Sequence, residues 1–106
     1  MKNYLLTGNK INEHGTKCWY LNGELHRIDG PAIEGINGEK YWYLNDKLHR
    51  LDGPACEYAD GYKSWWFNGY LHRLDGPARE WASGYKAWYV NENEITSIYN
   101  FMDILC

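Results

Sequence analysis

The chain has 106 residues, 44% hydrophobic and 17% aromatic, with a formal net charge of −3. That bounds it to one small domain with a shallow core. There is neither the clustered Lys and Arg that non-specific nucleic-acid binding rests on nor an apolar run of membrane-spanning length.

Six Trp and ten Tyr stand against two Phe. Rings with an apolar body and a polar tip suit a thin structure in which each is half buried. The three cysteines, Cys18, Cys56 and Cys106, are odd in number and show no C-x-x-C spacing. They read as free thiols in a reducing compartment. The opening residues lack a signal-peptide pattern, so the expected location is cytoplasmic, the host cytoplasm if the protein is viral.

In chain order, Tyr4-Leu5-Leu6 and Lys10-Ile11-Asn12 read as a degenerate half-unit that covers the first sheet edge. From there a period of 23 residues runs through the chain. Trp recurs at 19, 42, 65 and 88, Lys at 17, 40, 63 and 86, and Asn at 22, 45, 68 and 91. Leu25-His26-Arg27 returns as Leu48-His49-Arg50 and Leu71-His72-Arg73. Asp29-Gly30-Pro31-Ala32 returns as Asp52-Gly53-Pro54-Ala55 and Asp75-Gly76-Pro77-Ala78, with Glu34, Glu57 and Glu80 two residues further on.

Each unit reads as turn, strand, turn, strand. Asn37-Gly38, Asp60-Gly61 and Ser83-Gly84 supply the positive φ of one tight turn. Asn22-Gly23, Asn45-Asp46 and Asn68-Gly69 supply that of a second. Asp-Gly-Pro then breaks the pairing, because Pro has no N–H to give a ladder. Strand alternation puts Lys40, Trp42 and Leu44 on one face and Tyr41 and Tyr43 on the other. A two-residue turn at Asn37-Gly38 sets Trp42 opposite Ile33, and likewise Trp65 opposite Cys56 and Trp88 opposite Arg79; a bulge shifts this register.

The last unit lacks His-Arg and Asp-Gly-Pro. Thr96 reads as an N-cap, and Ile98, Phe101, Met102 and Leu105 follow helical spacing. The fold expected is therefore all-β: a single antiparallel meander of tandem β-hairpin repeats, about 3.5–4 units of 23 residues in roughly seven or eight strands. The repeats run over about 10–31, 32–54, 55–77 and 78–94, and a capping helix over about 97–105 closes the end.

The unit W-[YWF]-x-N-[GD]-x-L-H-R-x-D-G-P-A resembles the MORN repeat, a glycine-rich β-hairpin. It resembles more closely the MORN-like variant of bacteriophages and giant viruses, over about residues 12–91. The resemblance implies an elongated or curved antiparallel sheet used for scaffolding and protein contacts. His26-Arg27, His49-Arg50 and His72-Arg73 stand where that pattern has His-Gly, so MORN-type lipid binding is not carried over.

His26, His49 and His72 recur about 10 Å apart, two strand spacings. Zn–N bonds are about 2 Å long, so the row does not suit one metal ion. Arg27, Arg50 and Arg73 pair on this reading with Asp29, Asp52 and Asp75 inside each loop; as a row they are candidate anion contacts. No nucleophile constellation or phosphate loop is present, so no enzyme, cofactor or metal is expected.

Residues that repeat serve the scaffold; those that differ between units are free for recognition. The differences are mostly aromatic. Gly35 becomes Tyr58 and Trp81, Glu39 becomes Tyr62 and Tyr85, Tyr43 becomes Trp66, and Lys47 becomes Tyr70. Tyr58, Tyr62, Trp66, Tyr70, Trp81 and Tyr85 are accordingly the candidate surface for a protein partner, since Trp and Tyr dominate interface hot spots. The viral resemblance makes the expected protein a small accessory factor that binds and inhibits a host protein, such as one of a defence system. A nucleotide-like ligand held by the aromatic and Arg rows is one alternative, and a structural virion component another; a homodimer stays open, and neither nucleic acid nor membrane is the expected partner.

Overall fold

A computed structural model of the protein describes residues 6–95. Among them there is no helix, and the strands are all antiparallel: β1 (Gly8–Ile11), β2 (Lys17–Leu21), β3 (Glu24–Leu25), β4 (Ile33–Glu34), β5 (Lys40–Tyr41), β6 (Tyr43–Leu44), β7 (Lys47–Leu48), β8 (Cys56–Glu57), β9 (Lys63–Ser64), β10 (Trp66–Phe67), β11 (Tyr70–Leu71), β12 (Arg79–Glu80), β13 (Lys86–Val90) and β14 (Asn93–Ile95). The main sheet runs β1-β2-β4-β5-β8-β9-β12-β13-β14, with β3 on β2, and the ribbons β6–β7 and β10–β11 stand beside it. The order follows the sequence, as a meander requires. The expected helix over 97–105 lies outside the described residues, as do Tyr4, Leu5 and Cys106.

The fourteen strands exceed the seven or eight expected because each long strand changes partner at its Trp. In Lys40–Leu44, β5 lies between β4 and β8, while β6 pairs with β7. At the break, the Trp42 N–H donates to the Ala55 carbonyl at 2.8 Å, and the Trp42 carbonyl accepts from the His49 N–H at 2.9 Å. The return arm of this hairpin thus touches Trp42 twice, at 49 and at 55, with the His-Arg-x-Asp-Gly-Pro loop looping out between the two contacts.

The register differs from the two-residue turn by one position. Ile33 pairs with Tyr41, Cys56 with Ser64 and Arg79 with Ala87, not with Trp42, Trp65 and Trp88. The reason is the Gly. Gly38 at φ +87° follows a turn closed by its own N–H on the Gly35 carbonyl at 3.2 Å, and the Gly35 N–H bonds to the Glu39 carbonyl. This is a turn followed by a left-handed glycine bulge, which adds one residue to the loop. Because side chains alternate, the slip exchanges which residues face each other across the strands.

The second turn has two residues, as expected. Asn22, Asn45, Asn68 and Asn91 all have φ near +50°, followed by Gly23, Asp46, Gly69 and Glu92, also at positive φ. The histidines hold these turns from the preceding unit. The imidazole Nδ1 of His26 accepts the Asn45 N–H at 3.1 Å, that of His49 the Asn68 N–H at 3.0 Å, and that of His72 the Asn91 N–H at 3.1 Å. An accepting Nδ1 places the neutral ring's proton on Nε2. Asn22 has no such His before it, and its N–H goes to the Thr7 hydroxyl at 3.0 Å. Leu6-Thr7 therefore stands in for Leu-His, and β1 covers one edge of β2.

The core is thin. Ala32, Ala55 and Ala78 are wholly buried, joined by Cys56, Ser64, Ala87 and Val90. The Cα radius of gyration of 15.7 Å exceeds the roughly 13 Å of a compact domain this size. An elongated sheet buries little, so most large side chains work half exposed on its two faces.

Candidate functional site

One face carries the tryptophan row, and its chemistry is internal. The Arg27 guanidinium lies 3.7 Å from the Trp19 ring centroid, with Arg50 over Trp42 and Arg73 over Trp65 at 3.8 Å. Each Arg also reaches two carboxylates. Arg50 Nε donates to Asp52 at 3.1 Å, and Nη1 donates to Glu57 at 3.0 Å and to the Pro54 carbonyl at 3.0 Å; Arg27 and Arg73 repeat the set. Each guanidinium also lies close against a glycine. A Cβ on Gly30, Gly53 or Gly76 would lie 2.9 Å from the Arg Cζ. Arg, Trp, Asp, Gly and Glu of the repeat are thus one sandwich, and the candidate anion contacts Arg27, Arg50 and Arg73 direct Nε and Nη1 to partners within the chain. Trp88, with no Arg stacked on it among the described residues, is the exposed member of the row.

The other face carries a continuous aromatic strip. Tyr41 meets Tyr58 edge-on with centroids 5.9 Å apart, Tyr58 meets Tyr62 at 5.2 Å, Tyr62 meets Trp81 at 5.4 Å and Trp81 meets Tyr85 at 5.0 Å. These separations are those of favourable tilted and edge contacts. The bulged loop positions each pair: the Tyr58 N–H bonds to the Tyr62 carbonyl and the Trp81 N–H to the Tyr85 carbonyl, both at 2.9 Å. In the unit before, Gly35 and Glu39 hold those places, and the Glu39 side chain lies across the space a Gly35 side chain would fill. The strip therefore starts at Tyr41. Tyr58 is 42% and Tyr85 62% exposed.

Of the six aromatic residues singled out in the sequence, four come together: Tyr58, Tyr62, Trp81 and Tyr85. Trp66 does not join the strip; it sits on β10 with its indole N–H on the Ser64 hydroxyl at 2.8 Å. Tyr70 lies on β11 opposite Phe67, at the exposed tip of a ribbon. Two members were missed. Tyr41 was hidden because its position looks like ordinary strand alternation. Arg79 occupies the slot of Ile33 and Cys56 and packs across the strip, 4.6 Å from the Trp81 centroid and 5.7 Å from that of Tyr62, with Nε on the Tyr62 hydroxyl at 2.9 Å. A charge in a slot otherwise filled by Ile and Cys was the available signal.

Ionisation follows burial here. The Tyr41 phenol is pushed well above its ordinary value of 10.0 by burial first and then by its 3.2 Å hydrogen bond with Tyr58. Burial also raises Tyr43, and it raises Cys56 against the opposing hydrogen bond from Ser64. For Arg79, burial disfavours the charge, but the Tyr62 and Tyr89 hydroxyls outweigh it and the net shift is upward. Acids whose folded pKa is raised bind their protons more tightly than the unfolded chain does. Their contribution is intact below the ordinary values and falls as pH rises through about 9–10 toward the folded ones. The melting temperature is expected to drop between pH 9 and 11, with a shallower drop in Tyr41→Phe. Equal slopes in a thermal denaturation series would show that Tyr41 takes no part.

Among the described residues, no group of three or more His, Cys, Asp or Glu is placed to hold a metal ion, and no helix is long and apolar enough to cross a membrane. No protein-family model, curated protein or solved structure matches the chain.

Proposed function

We propose that the chain is a non-enzymatic protein-interaction module of the MORN-like type, built from tandem hairpin repeats, whose partner binds the strip formed by Tyr41, Tyr58, Tyr62, Trp81 and Tyr85. The observation that carries this reading is the continuity of the strip. Residues that break the 23-residue repeat are in mutual contact on one face, while the repeated His, Arg and Asp bond within the scaffold. Rigid, half-exposed Tyr and Trp with an adjacent Arg have the composition of an interface hot spot. In keeping with the repeat's resemblance to phage and giant-virus sequences, the partner is a host protein, and binding inhibits it, as an anti-defence factor would.

A photo-crosslinking amino acid tests this. Placed at Tyr85 in cells where the protein is naturally made, it is expected to trap one protein in stoichiometric yield. Placed at Ile28, on a loop of the tryptophan face, it traps none, and Trp81→Ala in the Tyr85-labelled protein abolishes the product. A hot-spot truncation costs about 2 kcal/mol or more, roughly thirtyfold in affinity. Equal products from Tyr85 and Ile28, or products unaffected by Trp81→Ala, would count against the strip as the interface.

A further inference from the structure

Four arginines lie within the described residues, and three of them are alike. Arg27, Arg50 and Arg73 each hold an Asp and a Glu, and their side chains are only 21–23% exposed. Arg79 differs on every count. It makes no ion pair within the described residues; its Nε is satisfied by a neutral phenol, and the groups acting on its charge are the Tyr62 and Tyr89 hydroxyls. Among the described residues no carboxylate pairs with its charge, in a chain that is otherwise net acidic.

The geometry prepares it for an anion. The Nε bond to Tyr62 and the flanking rings of Tyr62 and Trp81 fix the guanidinium beside the strip, so little side-chain freedom is lost when a ligand arrives. Both of its phenol partners, Tyr62 on Nε and Tyr89, are uncharged, and the N–H groups of a planar guanidinium that they leave over suit a carboxylate. Charge also runs along the strip. Glu39 acts on Tyr41 at one end, and Asp60 takes the Tyr62 N–H at 2.9 Å, while Arg79 stands further along. An incoming acidic group is repelled at the Tyr41 end and drawn to Arg79, which sets the direction in which a segment lies.

Resting on the protein-interaction reading above, we propose that Arg79, braced by Tyr62 and Trp81, is the anchor for a carboxylate side chain on an acidic, aromatic-bearing segment of the protein partner. The slot itself supplies a benign variant. Ile33 fills the equivalent place in a sister unit, so Arg79→Ile removes the charge with a residue this sheet already accommodates.

Two synthetic pentapeptides serve as probes, acetyl-Tyr-Glu-Leu-Glu-Tyr-amide and the same peptide with Gln for both Glu, followed by NMR of the Arg79 Nε–H and the Trp81 indole N–H. The Glu peptide is expected to shift both signals and to bind about tenfold or more tightly than the Gln peptide, the difference expected for one charge-assisted hydrogen-bonded pair. Arg79→Ile, with an otherwise unchanged amide spectrum, brings the Glu peptide down to the Gln level. Equal binding of the two peptides, with the Trp81 indole shifting for both, overturns the carboxylate anchor and leaves the strip as a protein-binding surface. Binding of neither peptide overturns the anchor as well, and the crosslinking result then judges the interface independently. A response of Arg79 to inorganic phosphate without one to the Glu peptide overturns it in favour of a phosphate-bearing ligand.

Discussion

Arg50→Ala is expected to destabilise the protein by about 2–4 kcal/mol. One move removes a cation stacked on Trp42 (about 0.5–2 kcal/mol) and hydrogen bonds to Glu57, Asp52 and the Pro54 carbonyl, those to charged partners being worth about 1.5–3 kcal/mol when shielded. Asp52 is largely exposed, so its share is small; Glu57 is only 32% exposed and is left without its cation. Arg50→Lys is expected to recover less than half, because an ammonium has neither the flat face that lies on the indole nor the fork that reaches two carboxylates at once. The sandwich makes a sharper claim about Gly53. A Cβ there would sit 2.9 Å from Arg50 Cζ, so Gly53→Ala should cost stability by displacing the guanidinium. In the Arg50→Ala background the same change should cost almost nothing. Urea denaturation of the four proteins measures this coupling; simple additivity would mean that Gly53 is constrained by something other than Arg50.

Much of this architecture is legible in the sequence. The period, the antiparallel meander and the Asn-centred two-residue turns follow from spacing and turn chemistry alone. What cannot be read is how the units face one another. The difference between a two-residue turn and a turn with a glycine bulge is one residue, and Asn37-Gly38 is compatible with both. Only the pairing of Ile33 with Tyr41 resolves it. The His-to-turn bonds are equally hidden, because each joins residues 19 positions apart, a separation that a 23-residue period does not suggest.

The candidate site was legible in half. Searching for aromatic departures from the repeat finds Tyr58, Tyr62, Trp81 and Tyr85, since bulky rings two loops apart on a flat sheet must touch. It also takes in Trp66 and Tyr70, whose departures concern the ribbons. It passes over Arg79 because a slot that varies among Ile, Cys and Arg looks unconstrained. In the sheet that slot lies beside the Tyr62 and Trp81 rings, where an arginine has something specific to do. Sequence variation marks where recognition is allowed; only the neighbours across the strands show which variants act together.

Ala55→Leu is the second large effect expected, and it concerns a wholly buried position. Ala55 is 0% exposed, and its backbone is tied on both sides: its N–H donates to the Ser64 carbonyl and its carbonyl accepts from the Trp42 N–H, each at 2.8 Å. Ala32 and Ala78 repeat the arrangement, which accounts for an alanine after every Gly-Pro. A leucine adds three carbons where neither strand can yield without breaking a ladder bond. Overpacking of this kind costs about 1–3 kcal/mol, or a fall in melting temperature of about 5–20 °C for a domain of this size. The surface change Ala82→Leu is expected to stay within about 0.5 kcal/mol. The central position makes the lesion more serious than its local cost. In a thin sheet each strand is stabilised mainly by its neighbours, so parting the strands at Ala55 leaves two short pieces, each with too little buried area to stand alone. Ala55→Leu should therefore lower the midpoint and also broaden the transition, as the halves uncouple. A melt as sharp as that of the natural chain, merely shifted, would show that the sheet relaxes around the leucine as one body, and that the strand junction is softer than its hydrogen bonds imply.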